Sequence, residues 1–291
     1  MDYSFIRYLA AKKSVDDRAL NEHVWQTMVE ALPPASAEKP LRILEVGAGI
    51  GTMVERLVGR GVLSDAVYTA LDAQASNIEQ AKRRLQAIPA TIRLELEAID
   101  FFDFVLREQN RQDWDLIIAH AFLDLVHLPT TLPLLFSLLR PGGFFYFTIN
   151  FDGATILQPT IDPTFDAQVE ALYHRTMDER ITAGNPSGDS QTGRHLFQQL
   201  PQAGTNILAA GSSDWVVFAH KNGYPADEAY FLHFIVNTMH GALNKHPELD
   251  QTQFQAWIAQ RHAQIDAGTL LYIAHQLDFF GTYPPTSSNA S

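Results

Sequence analysis

Cysteine is absent from all 291 positions. Its absence removes disulfides, thiolate nucleophiles, cysteine-ligated zinc and iron–sulfur clusters from consideration. Long apolar runs are missing too: no window of eighteen or more apolar residues occurs, so no segment is expected to span a bilayer. Met1 to Arg7 shows neither the basic stretch nor the apolar core of a signal peptide, and a cytoplasmic location is the expectation. Glycine, at 17 residues, and proline, at 15, are too sparse for a fibrous repeat. Positive charge is also short: 21 Lys and Arg stand against 33 Asp and Glu, a net charge of −12. Such a surface repels phosphate backbones and anionic bilayers, which argues against nucleic acid and membrane partners. What is present is apolar material, 46% of the chain, enough to offset the entropy of folding.

The pattern begins helical. Val15-Asp16-Asp17-Arg18-Ala19-Leu20 reads as the start of a helix with acids in its first turn, and Pro33-Pro34 ends the run. From Leu41 the period changes. Strands are expected at Leu41–Val46, Val67–Leu71, Ile92–Ala98, Leu116–Ala119 and Phe144–Ile149, alternating with helices. Ser76 and Glu79 suggest a capping box for the second of those helices. Ile92–Ala98 alternates strictly, as an edge strand would, whereas Leu116–Ala119 is apolar throughout, as a strand covered on both faces would be. Five alternations of strand and helix predict a parallel, doubly wound sheet. Further helices are expected near 165–182, 192–200, 226–243 and 251–265, with strands at Ile207–Ala210 and Leu270–Ala274.

The chemistry concentrates at Glu45-Val46-Gly47-Ala48-Gly49-Ile50-Gly51, between a strand and a helix. Glycines there permit a tight turn and close approach of backbone to a ligand. The dinucleotide pattern needs a third glycine at position 52, where this chain has Thr52. Asp72 ends the second strand, 21 residues after Gly51, where an acid can accept from both hydroxyls of a ribose. A purely structural turn and a solvated strand-end carboxylate are the plainer alternatives.

These motifs, with Asp100-Phe101, WDLIIAHAFLDLV and LLRPGG, resemble the class I S-adenosylmethionine-dependent methyltransferase superfamily over about residues 40–151. The resemblance implies an α/β, doubly wound, Rossmann-like fold: a seven-stranded, mostly parallel sheet whose last strand is antiparallel. It implies a helical lid over 1–38 and a methyltransferase domain over 39–281. That domain has a core at 40–151 and helical additions at about 152–204 and 224–266, and 282–291 form a disordered tail. The implied cofactor is S-adenosylmethionine. Glu45, Gly47, Ala48, Gly49 and Gly51 would hold its methionine portion, Asp72 with Ala73 its ribose, and Asp100 with Phe101 its adenine. His120 and Ala121 would line the reactive pocket. The expected reaction is in-line methyl transfer to a small molecule.

Histidines number eleven, and a base could be among them. His120 is one candidate. His233 is another, on a helix face shared with Tyr230, Asn237 and His240; a solvated helix face is the plainer reading. His233 and His240 lie about 10 Å apart along a helix axis, too far to share an ion, and no metal is expected. Arg194 and His195 open a short helix and could orient a substrate anion, or could simply pair with Asp189. Tyr173, His174, Trp215, Tyr230, His233, Trp257 and Tyr272 would suit an enclosed pocket for an organic substrate. Two other functions remain open. Aminopropyl transfer uses the same loop, but the fourth strand offers no acid beyond Asp124. A non-catalytic cofactor-binding module is the second.

Overall fold

The structure, a computed structural model, describes residues 3–109, 111–182 and 184–284. Helices α1 (Phe5–Ala19) and α2 (Glu22–Ala31) precede the sheet. Then come β1 (Leu41–Val46), α3 (Thr52–Gly59), β2 (Ala66–Asp72), α4 (Ala75–Arg84), β3 (Ile92–Ala98), α5 (Phe101–Arg107), β4 (Trp114–His120), α6 (Leu128–Leu138) and β5 (Leu139–Gln158). The second half adds α7 (Pro163–Asp178), the hairpin β6 (Ile181–Thr182) and β7 (Asn185–Pro186), and α8 (Thr192–Gln202). It finishes with β8 (Asn206–Ser212), β9 (Trp215–Val217), α9 (Glu228–Leu243), α10 (Gln251–Asp266) and β10 (Leu271–Thr282).

The main sheet runs β3-β2-β1-β4-β5-β10-β8, with β9 also paired to β10. Strands β1 to β5 are parallel, and β10 is antiparallel to β5 and β8. The sheet therefore has eight strands rather than seven, because Trp215–Val217 adds a short edge piece that its three-residue length hid. As the alternation suggested, β3 lies at the edge. Interior strands feed both faces: Ile43, Leu116 and Ile118 pack toward α1, α2, α3 and α9. Leu44, Ile117 and Ala119 pack toward α5, α6 and α8.

Three local expectations are corrected. Asp16 and Asp17 lie in the last turns of α1, not in a first turn, where a helix dipole disfavours them. Lys12 and Lys13, one turn back, compensate at 2.7 and 2.6 Å. Helix α4 starts at Ala75, so Ser76 is inside it; Asp72, not Ser76, accepts from the Gln74 amide ahead of the helix. At the C-terminus Thr282 closes β10, and Tyr283 exchanges backbone hydrogen bonds with Gly142 and Gly143 at 2.8 Å each. The rest of the expected disordered tail, 285–291, lies outside the described residues.

Candidate active site

A cavity of about 510 Å³ opens at the carboxyl ends of β1, β2, β4 and β5. That edge is where open α/β sheets bind ligands, and the volume falls in the ordinary range for ligand pockets, roughly 300–1,000 Å³. One end is polar backbone. Gly47, Ala48 and Gly49 line it, with Asp72, Ala73, Gln74 and Asn77 beside them. Gly49 has φ +56, and the space where a side chain would project ends on Leu9, 3.4 Å from the ideal Cβ. Asp72 fixes this end. Its Oδ2 accepts from the Gly49 amide at 2.8 Å, and its Oδ1 accepts from the Gln74 amide and Asn77 Nδ2 at 2.8 and 3.1 Å.

The other end is aromatic, with Tyr8, Phe151, Tyr173, Trp215, Phe234 and Tyr272 on its walls. Two wall residues, Ala121 and Ile149, adopt φ +51 and +58. For a β-branched residue that conformation is strained, by order of 1–3 kcal/mol. The backbone there is held from below: the Ile149 amide donates to Asp278 Oδ1 at 2.7 Å and the Ala121 amide to the Thr148 carbonyl at 2.9 Å. Burial pushes the Asp278 carboxyl up to about 6.

Between the two ends sits a buried network that joins α1 to the sheet. Asp16 accepts from Lys12 Nζ at 2.7 Å, His120 Nε2 at 3.0 Å, Trp215 Nε1 at 2.9 Å and Arg56 Nη2 at 3.3 Å. Burial works against the Asp16 charge, but Lys12, His120 and Arg56 outweigh it and hold the carboxyl well below the usual range. Burial pushes His120 down to about 4, with Lys12 and Arg56 assisting and Asp16 opposing. A neutral His120 that donates from Nε2 accepts the Thr148 hydroxyl at Nδ1, 2.8 Å away. Both ring nitrogens are thereby engaged within the protein.

Residues 44–145, from β1 to the middle of β5, match the family model described as a methyltransferase domain. Over this stretch the chain is similar to a methyltransferase domain. The enzyme class, methyltransferase, goes with that match. No curated protein matches the chain. Among solved structures, a cyclopropane synthase from Mycobacterium tuberculosis is similar at 10% identity, covering 96% of this chain and 99% of its own, with a TM-score of 0.49. A methyltransferase from Thiobacillus denitrificans, in complex with S-adenosyl-L-homocysteine, is 16% identical over 96% and 99%, with a TM-score of 0.47. A Haemonchus contortus phosphoethanolamine N-methyltransferase is 10% identical over 97% of this chain and 58% of that one, at 0.48.

The residues of this stretch fit a nucleoside ligand. Asn77 is buried and spends Nδ2 on Asp72, while its Oδ1 has no hydrogen-bond partner. An orphaned acceptor beside a carboxylate is what a ribose diol, with two donors, would satisfy. Other expected cofactor residues stand away from the wall. Glu45 is enclosed beneath the loop, where its Oε2 accepts from the Tyr68 hydroxyl at 2.8 Å; burial pushes its carboxyl up to about 8. Gly51 turns the chain into α3 with φ +80, packed on Leu85. Asp100 caps α5 by accepting from the Phe102 amide, and the buried Phe101 ring meets Phe122 edge-on. Phe122, not Phe101, is the ring on the wall, lying across Gly47.

The expected substrate residues are elsewhere. Arg194 pairs with Asp152 at 2.9 Å, and His195 with Asp189 at 2.5 Å. Tyr230 is buried against Ser4, accepting from its amide at 2.6 Å. His233 is wedged between α9 and α10, with His262 Nδ1 at 2.8 Å and Asp266 Oδ1 at 3.1 Å. None of the four lines the cavity, because the helix face that carries Tyr230 and His233 packs on α1 and α10. Of the aromatic set, Tyr173, Trp215 and Tyr272 reach the wall; His174 and Trp257 do not. Tyr8, Lys12, Asp16, Asn77 and Asp124 reach it without having been singled out as site residues. The i,i+4 pairs Lys12–Asp16 and Lys13–Asp17 were the available signal for the α1 contribution. Among the described residues, no group of three or more His, Asp or Glu could hold a metal ion.

Proposed function

We propose that the protein transfers the methyl group of S-adenosylmethionine to a small organic acceptor held in the same cavity. The observation that carries this reading is one cavity with two chemically distinct ends, the Gly49–Asp72–Asn77 end and the aromatic chamber. Bound S-adenosylmethionine supplies an electrophilic methyl group. Asp72 and Asn77 bind the ribose, and the Gly47–Gly49 backbone lies along the rest of the ligand. Helix α1, the helical lid within residues 1–38, closes the cavity with Tyr8, Leu9 and Lys12. Its closure excludes water and aligns the acceptor for in-line attack. His120 orients: with both nitrogens engaged and its proton held off, it anchors α1 through Asp16 rather than acting as a base.

Calorimetry on the full chain tests the cofactor half. S-adenosylmethionine and its demethylated product should bind while NAD does not, and preferential NAD binding would overturn the reading. Incubation with methyl-labelled cofactor and a metabolite extract tests the transfer half. Label in a small organic product is the expected outcome; label recovered only in methylthioadenosine, or left wholly in the cofactor, favours the alternatives.

A further inference from the structure

Asp124 follows β4 in a short 3-10 turn, Leu123–Leu125, and lines the aromatic end of the cavity. Its Oδ1 is buried and has no hydrogen-bond donor. A carboxylate oxygen in that condition carries an unmet desolvation cost, which a ligand that donates to it would offset. The nearby groups do not meet it. Lys12 is committed to Asp16, and Asp189 to His195. Arg180 lines the same cavity, and an ideal Cβ on Gly188 would stand 3.4 Å from both Arg180 Cζ and the Asp124 main-chain oxygen. Among the described residues it makes no ion pair with the Asp124 carboxyl. Tyr8 and Tyr173, on the same cavity, are within electrostatic reach of Asp124. Their phenols stay protonated, burial pushing Tyr173 up to about 12.

We propose that Asp124 is the residue that recognises the acceptor, and that the acceptor is a small amine bound as its ammonium cation between the Asp124 carboxylate and the faces of Tyr8 and Tyr173. Aromatic faces attract a desolvated cation, and the net charge of −12 draws cations toward the protein. The chemistry requires a base at that place, since an ammonium nitrogen has no lone pair. Burial raises the Asp124 carboxyl, with a hydrogen bond from its own backbone amide, Arg180 and Lys12 opposing and Asp189 assisting, which suits it to take a proton from nitrogen. The proton passes from the ammonium to Asp124. The freed lone pair forms the N–C bond as the C–S bond breaks with its electrons going to sulfur. The new N-methylammonium keeps the positive charge, and the Asp124 proton leaves to solvent. This step rests on the methyl-transfer reading, but the recognition of the amine does not.

The test separates the two. Ethylamine, hexylamine and 2-phenylethylamine, each beside the alcohol and carboxylate of the same skeleton, are titrated into the cofactor-free full chain by calorimetry. At least one amine should bind ten times tighter than its alcohol and carboxylate. Asp124→Asn should remove that preference while S-adenosylhomocysteine binding and Tm stay as in the wild type. No amine preference in the wild type overturns the proposal, whether or not the variant folds. So does an undiminished preference in Asp124→Asn. Amine binding without any binding of S-adenosylhomocysteine would instead sink the methyl-transfer reading and leave the amine site standing. With labelled cofactor, Asp124→Asn should lower kcat at neutral pH and regain part of it as pH rises and free amine accumulates. A flat loss at all pH values would contradict the proton-accepting role.

Discussion

His120 Nε2 donates to Asp16 Oδ2 at 3.0 Å, across 104 positions of sequence. This contact ties the end of β4, where the cavity begins, to the last turns of α1, which closes it. The same carboxylate holds Lys12, Arg56 and Trp215, so the closing helix and the sheet edge share one buried anion.

Removing that anion should be costly. Asp16→Ala leaves Lys12 and Arg56 buried without their common partner, and stability should fall by about 3–5 kcal/mol. Urea unfolding at neutral pH measures it. A loss below about 1 kcal/mol would show that the network carries no load. Lys12→Met should cost less, since Arg56 and His120 remain around Asp16.

Glu45 makes the pH dependence specific. Its carboxyl rises from 4.5 to about 8 on folding, chiefly through burial, so the folded state holds a proton that the unfolded state has released. Stability from this group is full below pH 4.5 and is lost as pH rises through about 8. Glu45→Gln keeps the hydrogen bond from Tyr68 and removes the titration. Unfolding free energies at pH 5, 6.5 and 8 should therefore decline less steeply in the variant, by order of a few kcal/mol over the range. Parallel curves would mean that Glu45 is ionised in the folded protein.

Asp72 works twice, on the loop and on the ligand. Asp72→Ala frees the Gly49 and Gln74 amides and removes the ribose acceptor. Calorimetric affinity for S-adenosylhomocysteine should drop by about 1.5–3 kcal/mol, the scale of hydrogen bonds to a charged group. Unchanged affinity would place the ribose elsewhere.

Gly49→Val forces a branched side chain into a left-handed position and toward Leu9. Binding of S-adenosylhomocysteine should vanish while circular dichroism still reports a folded chain. Normal binding by this variant would remove the loop from the cofactor site.

The parallel half of the fold and one end of the site were legible in the sequence because they are written locally. The glycine loop, Asp72 and the unbroken apolar run of β4 each declare themselves within a few residues. The chamber was not legible, since it is assembled from distant pieces. Asp16 looks like a first-turn acid until His120 and Trp215 meet it. The face with Tyr230 and His233 looks solvated until α1 and α10 cover it. Arg194 finds Asp152, 42 positions away, rather than Asp189. Asp124 is one more loop acid in the sequence, and only the fold shows that its Oδ1 has no donor.

The central claim, that one cavity takes the cofactor at Asp72 and the acceptor in the aromatic chamber, is tested most directly by a crystal structure of the full chain soaked with S-adenosylhomocysteine. The account predicts the ribose hydroxyls within hydrogen-bond distance of Asp72 and Asn77 Oδ1, with the sulfur directed toward Tyr173 and Trp215. Ligand density outside this cavity, or a ribose that touches neither Asp72 nor Asn77, would contradict it.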